Sequence, residues 1–331
     1  MVFVANSRKN RVLVESLSPS ELEIFQNKEF RKILTPKEYR HLESHSPPNT
    51  LSSRVQQKFL NQTQHISRFI REQHTQVAHQ WQLPTGIQML DQFFSGSHTL
   101  PHGLPSQNLT LLYGKARSGK SQICHQLPVE LFKLSPILSG NNVIFIDTEG
   151  TFRPSRIHDI AVAQDLSENR ILNNIMVLKT PNYANFNLTM TKIPELLSTQ
   201  PIRVLIIDSL TSVYRVEIAQ NSEDINSIIA NLAQNLQKLT QWAQIYNIVI
   251  CLTSQVTSTF DKTYFFDVIP VLSTTLNRYI KNWILLGEND QETELIGKPG
   301  LRYAHLVNSE NSPEEIIKFE ISTSGVRDFY G

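Results

Sequence analysis

Four short stretches of this chain carry residues whose types and spacing suit work on a phosphate chain. The densest is Gly114-Lys115-Ala116-Arg117-Ser118-Gly119-Lys120-Ser121, which fits the pattern G-x-x-x-x-G-K-[ST]. In such a loop the backbone N–H groups turn toward one anion, and Gly114 and Gly119 permit the dihedrals this requires. The helix that begins at Lys120 points the positive end of its dipole at the same anion. Lys120 can reach β- and γ-phosphates, and Ser121 can place its hydroxyl on Mg²⁺. The eight loop residues and Gln122 are therefore candidate nucleotide contacts. The second stretch, Val204-Leu205-Ile206-Ile207-Asp208-Ser209, is an apolar strand ending in a carboxylate that can hold the Mg²⁺ shell opposite Ser121. The third runs Val143 to Glu149. Glu149 emerges just past a strand, where a carboxylate can orient or deprotonate a water in line with a γ-phosphate. Asp147 competes for that role, or serves as a hydrogen-bond acceptor at the strand's end. The fourth, Cys251-Leu252-Thr253-Ser254-Gln255, ends in an amide that can sense a γ-phosphate and relay its loss to the loop beyond. An ordinary strand-end glutamine is the alternative.

These four stretches meet only if one sheet delivers them to one crevice, at the carboxyl ends of parallel strands. From Pro84 onward the sequence has that grammar. It predicts a turn into a short helix over Thr85–Asp91, strand Leu109–Tyr113, helix Lys120–Leu134 with Pro128 kinking it, strand Val143–Asp147 and helix Pro154–Ala163. Strand Ile175–Leu178, a helix near Met190–Leu197, strand Val204–Asp208, a long helix over about Ser222–Tyr246 and strand Ile248–Thr253 follow. Near-continuous apolar strands alternating with helices imply a parallel sheet covered on both faces. An irregular stretch runs from Gln255 to about Leu272. Strands near Tyr279–Leu286, Leu301–Val307 and Ile316–Ile321 read as an antiparallel extension.

Before Pro84 the composition differs. The first glycine of the chain is Gly86, and Ser18-Pro19-Ser20-Glu21 and Thr35-Pro36-Lys37-Glu38 are capping boxes with proline at the first helical position. Residues 1–82 thus form a separate helical region and linker, and 83–331 the nucleotide-binding domain. The 331 residues suffice for one large domain and a smaller one. A net charge of +1 offers no overall basic field, so any nucleic-acid contact must come from a local patch. No apolar run is long enough for a membrane span, and the N-terminus lacks the apolar core of a signal peptide, so an intracellular protein is expected. Cys124 and Cys251 are the two cysteines and read as buried free thiols. No histidine pair has a metal spacing with acidic or cysteine partners.

The loop together with Gln122-Ile123-Cys124-His125-Gln126-Leu127 resembles the RecA/RadA recombinases, archaeal and eukaryotic branch. So do Phe145-Ile146-Asp147-Thr148-Glu149-Gly150-Thr151-Phe152-Arg153-Pro154-Ser155-Arg156, Ile207-Asp208-Ser209-Leu210-Thr211-Ser212-Val213-Tyr214-Arg215, Ser254-Gln255-Val256 and Ser322-Thr323-Ser324-Gly325-Val326-Arg327-Asp328. The resemblance runs from about Leu83 to the end. It implies a RecA-type α/β core that binds ATP and Mg²⁺ between neighbouring subunits of a filament on single-stranded DNA. It implies Lys120, Ser121 and Asp208 for ATP and Mg²⁺, Glu149 as the catalytic carboxylate, Gln255 as the γ-phosphate sensor and Arg156 stacking on adenine. Asn308 and Pro313 would cap the nucleotide of the next subunit. The location would be cytoplasm and nucleoid in an archaeon, the nucleus in a eukaryote.

The departures from that family point to a paralog. A helix-hairpin-helix domain needs glycine, and none precedes Gly86. Phe69-Ile70-Arg71-Glu72 lacks the alanine of the self-association motif. The first candidate DNA loop, near Val216–Asn226, carries no Lys or Arg, and the second, Thr257–Leu272, has no glycine. The expected protein is an ATPase accessory to a recombinase or paralog subunit, with weak single-stranded DNA binding of its own through Lys262, Tyr264, Phe265 and Phe266. Those aromatics equally suit a core or a partner's groove. A homo-oligomer, a RecA-fold regulatory ATPase acting on protein partners, a structural subunit that keeps ATP between chains and a full strand-exchange enzyme are the alternatives.

Overall fold

The computed structural model describes residues 80–94, 101–134, 142–258, 268–287, 300–308 and 316–330, all within one compact unit, Gln80–Gly331. The helices expected before Gln80, Phe69–Glu72, Pro313 and the Lys262–Phe266 stretch lie outside the described residues.

The described elements run β1 (Gln82–Leu83), α1 (Gln88–Asp91), β2 (Leu104–Pro105), β3 (Leu109–Tyr113), α2 (Lys120–Leu134), β4 (Val143–Asp147), α3 (Pro154–Val162), α4 (Glu168–Leu172), β5 (Ile175–Lys179), α5 (Tyr183–Thr199) and β6 (Val204–Asp208). Then come α6 (Leu210–Gln220), α7 (Ile225–Tyr246), β7 (Val249–Ser254), β8 (Val256–Ser258), β9 (Val268–Pro270), α8 (Ser273–Leu276), β10 (Asn282–Gly287), β11 (Leu301–Asn308), β12 (Ile316–Ser322) and β13 (Gly325–Asp328). The main sheet has nine strands in the order β13-β12-β11-β10-β3-β7-β6-β4-β5.

The period-two geometry of a strand explains why its central strands are apolar throughout. On β4, Ile144 and Ile146 face α5, α6 and α7, while Val143 and Phe145 face α1 and α2. β3, β6 and β7 alternate in the same way. Both faces are therefore covered, and only the strand ends are left to do chemistry. Phe145 is fully buried, with its ring 4.9 Å from that of Phe152 and 5.6 Å from that of His125. Phe145→Ala should cost about 3–5 kcal/mol of stability, read as a lower midpoint of urea unfolding. A loss well under 1 kcal/mol would mean that this aromatic cluster relaxes around the cavity.

The structure corrects the sequence reading in three places. The strand expected over Tyr279–Leu286 is not the start of the antiparallel extension: β10 pairs parallel with β3, and antiparallel pairing begins with β11. The first candidate DNA loop, Val216–Asn226, is not an open loop. It comprises the last turns of α6, one 3₁₀ turn over Ser222–Asp224 and the start of α7. The stretch after Gln255 is not wholly irregular, because β8 and β9 form an antiparallel hairpin. Helix α2 stays helical across Pro128. Cys124 and Cys251 are both buried and free, and burial beside Cys251 pushes the Cys124 thiol well up.

Candidate active site

Sheet register brings the chemistry-bearing strand ends into one row. Tyr113 pairs with Ser254 and Asp147 with Asp208, so the carboxyl ends of β3, β7, β6 and β4 lie side by side. The phosphate-binding loop leaves β3 at Gly114. A Cβ there would sit 2.1 Å from the Leu286 carbonyl oxygen, so no side chain fits. Gly119 has φ +106°, and a Cβ there would meet Ile321 Cδ1 at 3.0 Å and Phe319 Cζ at 3.4 Å, both of β12. Lys115, Ala116 and Arg117 are exposed at the loop's apex, while Ser118 and Gly119 are buried. Lys120 Nζ lies across the loop and donates to the carbonyls of Gly114 (2.9 Å) and Lys115 (2.8 Å). Burial pushes the Lys120 ammonium below its ordinary value, and the carboxylates of Asp208 and Glu149 push it back up.

Each carboxylate is held differently. Asp147 is buried, and its two oxygens accept the backbone N–H groups of Thr151 (3.0 Å) and Phe152 (3.2 Å). Both of its oxygens are thus engaged in shaping the loop that follows β4. Glu149 is exposed at the apex of that loop. Its Oε1 accepts from Ser209 Oγ (2.7 Å) and Gln255 Nε2 (2.9 Å). Asp208 is buried and accepts from Thr253 Oγ1 (2.6 Å) and Thr151 Oγ1 (3.0 Å).

Arg156 is anchored rather than free. Its Nε donates to Gln122 Oε1 (2.6 Å), and its two terminal nitrogens donate to the carbonyls of Ser322 (2.7 Å) and Thr323 (2.6 Å). Arg302 of β11 donates from Nε to the Arg117 carbonyl (3.0 Å), where Arg117 has φ +65°. Together Lys120, Gln122, Arg156, Arg302, Ile321 and Thr323 help line a cleft of about 680 Å³ beside the loop.

Sequence reasoning missed Ser209, Thr151, Thr253, Arg302 and the bonding role of His125. Ser209 and Thr253 sit next to motif residues, so position alone could have flagged them. Arg302 gives no local signal, since its partner is 185 residues away.

A sequence model of the Rad51 family matches residues 76–329. The chain belongs to the Rad51 family. It is similar to the DNA repair and recombination protein RadA of Metallosphaera sedula, with 30% identity over 249 residues, which are 74% of this chain and 72% of that protein. Within this Rad51-family core, Val271 N–H donates to the carbonyl of Gln255 (3.0 Å), tying the strand-end amide to the base of the β8–β9 hairpin. Among the described residues, no helix is long and apolar enough to cross a membrane, and no group of three or more His, Cys, Asp or Glu residues could hold a metal ion. Ser121 and Asp208 fit Mg²⁺ as two oxygen donors to an ion completed by phosphate oxygens and water, the usual manner for this cation.

Proposed function

We infer that this chain is an ATP-dependent, RadA-like recombinase paralog of homologous recombination and DNA repair, accessory to a recombinase filament on single-stranded DNA. ATP would lie in the cleft beside the phosphate-binding loop, Gly114–Ser121, with Gln122 and Arg156 on the adenine side. Lys120 would neutralise the β- and γ-phosphates. Ser121 and Asp208 would hold Mg²⁺, which would supply further charge stabilisation. Glu149 would take a proton from a water molecule as the water oxygen attacks the γ-phosphorus. The bond to the bridging oxygen then breaks, and ADP leaves carrying the displaced charge. The observation that carries this reading is the shared oxygen of Glu149. One carboxylate is held by the residue that follows the metal-side strand (Ser209) and by the amide that follows β7 (Gln255), so loss of the γ-phosphate could be felt at the β8–β9 hairpin. Residues 1–82 would be a helical region and linker outside the ATPase domain, and Pro313 would contact a neighbouring subunit's nucleotide. The site of action would be the nucleoid or nucleus.

The accessory role, as against strand exchange, rests on the first candidate DNA loop. A helix–3₁₀–helix junction bearing Glu217, Glu223 and Asp224 presents no cation to phosphate. DNA affinity comes mainly from such cations, and the salt slope counts them. Binding to a fluorescent single-stranded oligonucleotide should therefore be weak and shallow in salt, and a strand-exchange reaction with ATP should give little product. A second reading, a strand-exchange enzyme in its own right, is favoured by similarity that covers most of the RadA protein. Tight, steeply salt-dependent binding with efficient exchange would establish it instead.

A further inference from the structure

The loop that carries Glu149 joins β4 to α3, and its attachments are few. Asp147 holds Thr151 and Phe152 at the backbone. The Thr151 hydroxyl also donates to Asp208 (3.0 Å), and the next backbone donor, the Arg153 N–H, donates to His125 Nε2 (2.9 Å). Arg153 is the N-cap of α3 and makes no side-chain cap bond; its guanidinium folds back onto the carbonyls of Gly150 and Phe152. The other ring nitrogen, Nδ1, lies 2.5 Å from the carbonyl oxygen of Ser121. Because Nε2 accepts, the imidazole is neutral and Nδ1 carries the proton. The ring also stacks on Phe152, centroids 5.4 Å apart and planes 18° from parallel.

We propose that His125 is a positioning residue, which bridges the first turn of α2 to the loop backbone and thereby sets Glu149 over the γ-phosphate. This rests on the ATPase reading above. The bridge starts at Ser121, the residue that would meet Mg²⁺, and ends at Arg153, four residues past Glu149. Gly150 turns the chain between them at φ +69°. Glu149 is exposed, and the two hydrogen bonds seen at its carboxylate, from Ser209 and Gln255, come from the residues just past β6 and β7. The backbone that follows it is held by Asp147 and, from α2, by His125.

Three substitutions separate the ring's possible contributions. His125→Phe keeps the stacking and loses both hydrogen bonds. His125→Asn can keep a donor near Nδ1 and loses the acceptor for Arg153. His125→Gln can place its amide oxygen near Nε2 and keep that acceptor. ATP turnover, ATP affinity and the thermal midpoint are measured for each. His125→Gln should retain most turnover. The Asn and Phe variants should lose it by about 10²-fold, the effect of misplacing a reacting group by an ångström, with affinity little changed. Recovery by Phe, or by Asn over Gln, would overturn the proposal, as would equal loss of affinity and stability in all three. Hydrogen exchange of the Arg153 amide without nucleotide gives a readout independent of turnover. It should be slow in wild type and His125→Gln and fast in the other two; equal protection in all four proteins would also overturn the proposal. A wild-type protein that never hydrolyses ATP would instead refute the ATPase reading, leaving the exchange pattern to judge His125.

Discussion

Lys120→Ala should abolish ATP binding. The ammonium lies across the phosphate-binding loop on the carbonyls of Gly114 and Lys115, with the carboxylates of Asp208 and Glu149 close enough to act on its protonation. A triphosphate placed against the loop's N–H groups would take over those donors as charge-assisted hydrogen bonds, about twice as strong as neutral ones. Removing the side chain leaves the phosphate charge facing Asp208 and Glu149 with no compensating cation. The expected loss is about 10²-fold or more in affinity, read by titration calorimetry with Mg²⁺ and a non-hydrolysable ATP analogue. Lys120→Arg keeps the charge, but its planar fork does not match a point-charge site, so it should rescue little. An affinity unchanged in Lys120→Ala, with the thermal midpoint also unchanged, would move the nucleotide elsewhere.

What could be read from the sequence follows from how local each cause is. Strands β3, β4 and β6 match their expected bounds because a fully buried strand declares itself as an apolar run, and the polar residue that ends it falls at the sheet's edge. Helix α6 was missed. Thr211, Val213, Val216 and Ile218 are β-branched, so Leu210–Gln220 looks like strand and loop, yet Leu210, Val213 and Tyr214 bury one helical face. The direction of β10 was missed because an apolar strand reads the same either way; its pairing with β3 is set by the whole sheet. The bonds that hold the site were illegible for a third reason. Ser209 is 60 residues from Glu149, Thr253 is 45 from Asp208, and His125 is 28 from Arg153. Motif spacing names the candidate reacting groups, which sit at strand ends and at the start of α2. It does not name their holders, which the fold brings in from other elements.

Glu149→Gln should leave ATP binding intact and remove turnover. The amide oxygen of glutamine can still accept from Ser209 Oγ and Gln255 Nε2, so the side chain keeps its place. It cannot take a proton from water, and general-base catalysis contributes typically 10²–10⁴-fold, which sets the expected loss of about that size. The separation from Asp147 sharpens the test. Asp147→Asn keeps an acceptor but loses one of two oxygens that fix Thr151 and Phe152. It should therefore lower stability and turnover together, while Glu149→Gln lowers turnover alone. Steady-state phosphate release and nucleotide affinity, measured on both variants beside their thermal midpoints, distinguish a base from a loop anchor. If Glu149→Gln hydrolyses ATP at the wild-type rate, the water is activated by another group. Asp208 is then a poor substitute, because both of its oxygens accept from threonine hydroxyls and it would face the metal ion. A carboxylate supplied by a neighbouring subunit would then be the next candidate to test.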